Sequence, residues 1–178
     1  MGYDIFLRDP VTGKAVEVPG HLMGGGTFVA NYCPEKGMFM AAFSTEAHVN
    51  ITYQYGRYYY EVYEEDGIRT IYGKSGFDSI AVLEKMITFL REKYQKRGEW
   101  VSTKRCKTIY FDEDGRETEP VISVTKENTP IRNEEVEIEI SEGDTSDYRL
   151  ATAANAMRPL YQLIALAKMR PDCIWDGD

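Results

Sequence analysis

Thr52-Tyr53-Gln54-Tyr55-Gly56-Arg57-Tyr58-Tyr59-Tyr60-Glu61-Val62-Tyr63, with its continuation Ile68-Arg69-Thr70-Ile71-Tyr72, holds seven of the chain's 13 tyrosines. Aromatic and β-branched residues favour strands, so residues 48–55 and 58–63 read as two strands joined at Gly56-Arg57. Glu64-Glu65-Asp66-Gly67 then turns into a third strand over 68–72. Alternation along these strands places Tyr53 and Tyr55 on one face. Tyr58 and Tyr60 share a face, with Tyr59 and Tyr63 opposite. Both faces then carry aromatics, one set serving the core and another forming a surface that grips a partner or ligand while staying wet.

Outward from this block, residues 3–8 read as a strand that Asp9-Pro10-Val11-Thr12-Gly13-Lys14 turns back into 15–18, a hairpin. Gly20 and Gly24-Gly25-Gly26 are too permissive for regular structure, and 27–46 read as an irregular excursion with room for a short hairpin. A helix over about 78–96 is capped by Asp78 or Ser79. Its face is Ile80, Leu83, Ile87, Leu90 and Tyr94, with Met86 adjoining. Lys93, Lys96 and Arg97 favour its C-terminal end, and Gly98 stops it. A second hairpin joins 108–111 to 120–124 through Asp112-Glu113-Asp114-Gly115. Residues 135–140 alternate strictly and read as a half-buried strand. The last helix begins near Thr152 or Asn155 and runs to Met169, with a kink or a break at Pro159.

The fold class that follows is α+β: an antiparallel sheet covered on one face by the two main helices. All 178 residues form one domain, within which 97–143 is a β-rich acidic insertion built as a flap. That segment carries 7 Lys/Arg against 12 Asp/Glu, or −5 of the net −8. A pI near 4.9 argues against general binding to nucleic-acid backbone. Three scattered cysteines suit free thiols in a reducing cytoplasm. Met1-Gly2-Tyr3-Asp4 lacks the basic and apolar regions of a secretory signal, and no apolar run reaches the ~20 residues of a membrane span.

Three motifs carry a resemblance: Asn50-Ile51-Thr52-Tyr53-Gln54-Tyr55, Gly67-Ile68-Arg69-Thr70-Ile71-Tyr72-Gly73, and residues 166–178 ending Trp175-Asp176-Gly177-Asp178. On these the chain resembles a family of uncharacterised small bacteriophage and prophage proteins, over roughly 3–95 and 145–178. Shorter relatives pass almost directly from the first helix to the second, so the acidic segment looks like an insertion. Arg149, Ala154 and Cys173 stand where the family's motifs have Trp, Gly and Gly. The resemblance implies a phage source, and small accessory phage proteins often counter host defence.

For chemistry, Gly73-Lys74-Ser75 invites a phosphate-loop reading, but Ile68 occupies the position that needs the leading Gly. A helix start near Lys74 and Arg69 keeps a weaker anion reading open. His21 and His48 stand apart from Cys or carboxylate at ligand spacing. No cofactor, no metal site and no catalytic constellation is expected. The expected function is a non-enzymatic counter-defence protein, acting in the host bacterial cytoplasm on a host immune factor or a small nucleotide signal.

Sequestration of a nucleotide would use Asn50, Tyr53, Tyr55, Arg57, Arg69 and Tyr72 around base and phosphate, with Trp175 beside them. Blocking of a host protein would use Asp112, Glu113, Asp114 and the row Glu135, Glu137, Glu139. The alternative is a virion structural or assembly protein, or a homo-oligomer with tyrosines at its interface.

Overall fold

The computed structural model describes residues 2–18, 28–33, 38–43, 46–112, 114–118 and 132–178, the second and third of these as backbone alone. In chain order the elements are β1 (Gly2–Arg8), β2 (Phe28–Cys33), β3 (Met38–Phe43), β4 (His48–Thr52), α1 (Gly56–Tyr60), α2 (Gly76–Tyr94), β5 (Gln95–Lys96), β6 (Glu99–Trp100), β7 (Ser102–Phe111), β8 (Glu117–Thr118), β9 (Arg132–Ser141), α3 (Ala153–Met169) and β10 (Ile174–Gly177). The fold is α+β with antiparallel sheets.

β1 is the centre of a three-stranded sheet in the order β10-β1-β4. Ile5 lies opposite Val49 and Gly177, and Leu7 opposite Trp175. Tyr3, Ile5, Leu7, Val49, Ile51 and Trp175 form its buried face, as the two-residue period requires. The expected return strand at 15–18 is reduced to single bridges, Ala15 to Arg8 and Glu17 to Glu46. The excursion after it contains a regular hairpin, β2 with β3. Gly20 and Gly24-Gly25-Gly26 lie outside the described residues, as does the 120–124 arm of the second expected hairpin.

The tyrosine block is not a sheet. β4 ends at Thr52, whose hydroxyl accepts from Gln54 N, and the chain enters a 3₁₀ turn over Tyr53–Tyr55 and then α1. Gly56, expected in a two-residue turn, is helical at φ −52° and ψ −40°. Tyr55, Tyr58 and Tyr59 are buried, and their i, i+3, i+4 spacing is that of one helix face. The third expected strand is also helical: Gly67–Ile71 is a 3₁₀ turn with Ile68 and Ile71 buried, one turn apart at three residues per turn. In both places burial of a 3–4 spaced apolar set outweighs local β propensity.

α2 is capped by Ser75, whose Oγ accepts from Asp78 N at 3.0 Å, and not by Asp78 or Ser79. Leu83, Met86, Ile87, Leu90 and Tyr94 form its buried stripe. The helix stops at Tyr94, so Lys96 and Arg97 lie beyond it. There β5 and β6 form a small hairpin around Arg97-Gly98, both at positive φ (54° and 86°), the pair of dihedrals a tight hairpin turn demands. α3 starts at its Thr152 cap and runs through Pro159 without a break. It lies antiparallel to α2, because Phe77 N at the start of α2 donates to Pro171 O just past the end of α3. A Cβ on Gly76 would stand 2.5 Å from Arg170 O, so the helix ends approach this closely only with glycine there.

β7 and β9 pair over all ten residues, from Ser102 opposite Ser141 to Phe111 opposite Arg132, and β8 adds to the far edge of β7. The outer half of this ribbon stands in solvent: β9 is exposed from Arg132 to Glu137, with Ile138 and Ile140 half-buried. Its alternation is therefore half-buried only where the ribbon meets the core.

Trp175 is the largest side chain in the core, 1% exposed, and its Nε1 donates to Ser79 Oγ on α2 at 2.7 Å. Trp175→Ala is expected to lower unfolding free energy by about 3–5 kcal/mol, read from the urea midpoint.

Candidate functional site

The outer face of the β10-β1-β4 sheet carries the polar residues that the two-residue period leaves for solvent. Asp4 gathers several of them. Its Oδ1 accepts from Asn50 Nδ2 at 2.6 Å and from His48 Nε2 at 3.1 Å, and its backbone N donates to Asp178 Oδ1 at 2.9 Å. His48 stacks flat on Phe6, with centroids 4.2 Å apart. Arg8 pairs with Asp176 at 2.5 Å and lies over the same Phe6 ring. His48, isolated in sequence, thus has a carboxylate partner in space. Among the described residues, Asp4 is the hydrogen-bond partner shown for its ring.

Asn50, Tyr53, Arg69 and Tyr72 meet at one end of this face. Arg69 lies over the Tyr3 ring at 5.1 Å, and Tyr53 packs edge-on against the same ring at 4.6 Å. Arg69 Nε and the Tyr72 hydroxyl both donate to the main-chain oxygen of Asp178, at 3.2 and 3.3 Å. Burial pushes the Tyr72 hydroxyl up to about 12, keeping it a neutral donor at physiological pH. Arg69 Nε and the Tyr72 hydroxyl are therefore engaged within the chain, and Asp4, Asp176 and Asp178 set three carboxylates beside Arg8 and Arg69.

The other expected ligand residues lie elsewhere. Tyr55 is buried and donates to Tyr148 O, Trp175 is in the core, and Arg57 covers the Tyr58 ring at 4.9 Å. The start of α2 offers no amide to an anion either. Gly73 N donates to Trp175 O, Gly76 N to Cys173 O and Phe77 N to Pro171 O, while Ser75 takes Asp78 N. The phosphate-loop likeness of Gly73-Lys74-Ser75 ends there. An open depression over Val62, Tyr63, Glu64, Glu65, Asp66 and Thr70 is acidic and would repel phosphate.

A second cluster was not visible in the sequence. Glu142, at the foot of β9, is fully buried. Its carboxylate accepts from Tyr58 at 2.7 Å, Thr103 at 2.6 Å, Arg105 Nη2 at 2.7 Å and Ala153 N at 2.8 Å. Arg105 also donates to the Tyr58 hydroxyl and to Ala151 O. Burial alone would raise the Glu142 carboxyl. The bonds from Thr103, Tyr58 and Arg105 outweigh it and hold the group below the ordinary 4.5, so it is ionised when folded. Burial and the neighbouring carboxylate push the Tyr58 hydroxyl well above the usual tyrosine value. Every oxygen of the carboxylate is occupied by a structural partner, leaving none for a substrate.

The third candidate surface is the ribbon. Glu135, Glu137 and Glu139 share one face of β9, opposite Thr108, Cys106 and Lys104. Lys104 pairs with Glu137 at 2.6 Å, and Glu135 and Glu139 have no ion pair among the described residues. Of the acidic turn, Glu113 lies outside the described residues. Asp112 accepts from Asp114 N and Arg116 N, and Asp114 pairs with Arg116, so this turn is internally committed. Among the described residues no group of three His, Cys, Asp or Glu is placed to hold a metal ion, and no helix is long and apolar enough to cross a membrane. No protein-family profile matches the chain, and no curated protein or solved structure matches it.

Glu142→Gln is expected to cost about 3 kcal/mol near neutral pH, because it leaves Arg105 without its buried counter-charge. The wild-type advantage should hold steady above pH 5 and shrink as pH falls below the ordinary 4.5, since a lowered folded pKa gives stability that acid removes. Melts of both proteins from pH 3 to 7 measure this. Arg69→Ala is expected to cost about 1 kcal/mol, from its one hydrogen bond and its exposed ring contact, in the same urea assay.

Proposed function

We propose that this is a non-enzymatic phage accessory protein that counters host defence by binding a host immune protein through the acidic face of the β7–β9 ribbon. The observation that carries the reading is the row Glu135, Glu137, Glu139, three exposed carboxylates about 7 Å apart on a continuous ten-residue pairing. Only Lys104 answers them, so the row projects a net negative field able to steer a basic surface toward it. A strand spaces these charges regularly, as a nucleic acid backbone does, and a basic host surface evolved for such a backbone is the matching partner.

Two further observations support the reading. The strongest buried ionisable cluster is consumed in joining elements, so it supports binding more than chemistry. Sequestration of a small nucleotide is less favoured, because Arg69 Nε and the Tyr72 hydroxyl contact Asp178 and three aspartates stand close by. The phage source rests on the resemblance of the three motifs.

The test is a plating assay in a bacterium whose defence system restricts a phage. Expression of the protein should restore plating. Glu135→Lys/Glu137→Lys/Glu139→Lys should remove at least tenfold of that gain, while its melting temperature stays within about 3 °C, as for exposed surface charges. Arg69→Ala should retain full activity. The opposite pattern, with Arg69→Ala inactive and the triple variant active, would move the site to the sheet face and revive the nucleotide reading.

A further inference from the structure

Resting on the reading above, the backbone of the ribbon adds a binding mode. In the order β8-β7-β9, β9 is an edge strand, and among the described residues no strand pairs its outer side. An antiparallel strand turns the N–H and C=O of every second residue away from its partner, so about five residues of β9 turn ladder groups outward that no strand among the described residues receives. Natural edges are commonly blunted by proline, a bulge or brevity. β9 has none of these: its ten residues contain no Pro or Gly, and the register with β7 advances one residue at a time throughout. Among the described residues, the device β9 does show is charge.

That charge selects the occupant. If a second copy added its own β9 antiparallel, side chains opposite each other would share a face. Each glutamate would then meet a glutamate, a destabilising pairing. An extended segment with Lys or Arg at alternate positions meets the same row with opposite charge. Its intervening apolar residues would fall on the other face, beside Val136, which is 37% exposed, and the half-buried Ile138.

We infer that the outer edge of β9 accepts an extended basic segment of the partner protein as an added strand, its alternate cations set against Glu135, Glu137 and Glu139 and its backbone completing the β9 ladder. Main-chain hydrogen bonds would supply affinity and the glutamate row the choice of sequence, the division of labour usual for strand addition.

Three labelled heptapeptides test this by fluorescence anisotropy at physiological salt: Lys alternating with Val, Glu alternating with Val, and Lys alternating with Pro. The Lys/Pro peptide has the charge of the first but cannot complete a ladder. The Lys/Val peptide is expected to bind, with the other two at least tenfold weaker. In its complex, alternate amides of β9 should exchange more slowly with solvent. Glu135→Gln/Glu137→Gln/Glu139→Gln, checked for native circular dichroism, should weaken it about tenfold as well. Equal binding by the Lys/Pro peptide would overturn strand addition while leaving the acidic face as a docking surface. No binding by the Lys/Val peptide, with self-association of the glutamine variant, would overturn the inference and assign the glutamates to keeping the edge unpaired. The plating assay judges the acidic-face reading independently of either result.

Discussion

One buried carboxylate joins four parts of this chain that would otherwise have little to say to one another. Glu142 closes β9, takes the first amide of α3, and is held by Tyr58 from α1 and by Thr103 and Arg105 from β7. An ionised glutamate with no exposure is costly, and one good counter-charge rarely offsets that cost. Four donors at 2.6–2.8 Å do so here. Such a group tolerates no partial version of itself, since losing any donor leaves the remaining charge under-satisfied. The ribbon's angle to the body, the start of α3 and the position of the tyrosine segment are thereby set together.

The division between core and surface tyrosines follows from this constraint. Tyr58 reaches Glu142 and Tyr59 reaches Ala156 O, so each buried hydroxyl has a partner on α3 or its approach. Tyr53 and Tyr60, on the other side of the turn, remain partly exposed around Tyr3. The face they border is polar but self-contained: its arginines, histidine and amide are already paired with aspartates or with Asp178. The ribbon differs in kind, because Glu135 and Glu139 have no such answer among the described residues.

The elements with one clear period were legible. β1 and β9 showed alternation, and α2 and α3 showed their 3–4 spaced stripes, to within a few residues at each end. The tyrosine stretch misled because two signals compete there: the residue types favour a strand, whereas Tyr55, Tyr58 and Tyr59 repeat with a helical period. The second signal was present, and tertiary burial followed it. Of the expected ligand residues, Asn50, Tyr53, Arg69 and Tyr72 gather around Tyr3, Asp4 and Asp178 at one end of the sheet, where β1 begins and β4 and β10 finish. Tyr55 and Trp175 went to the core because a large apolar body near a sheet end is worth more buried than exposed. The Arg105–Glu142 pair could not be read, because Arg105 lies opposite Ile138 and reaches along the ribbon to Glu142 just past the end of β9. The one hint was parity: Glu142 breaks the odd-numbered rhythm of Glu135, Glu137 and Glu139.

The sheet's central strand has neighbours from opposite ends of the sequence, and Asp4 bonds to a residue 174 positions away. During synthesis β1 emerges early, more than 160 residues before its β10 neighbour. Until then β1 has an open edge, the Trp175 space between sheet and helices is unfilled, and the opening amides of α2 lack the carbonyls of Cys173 and Pro171 that later receive them. Closure of the body is thus a long-range event, of the kind that slows folding and delays cooperative stability until β10 has been made.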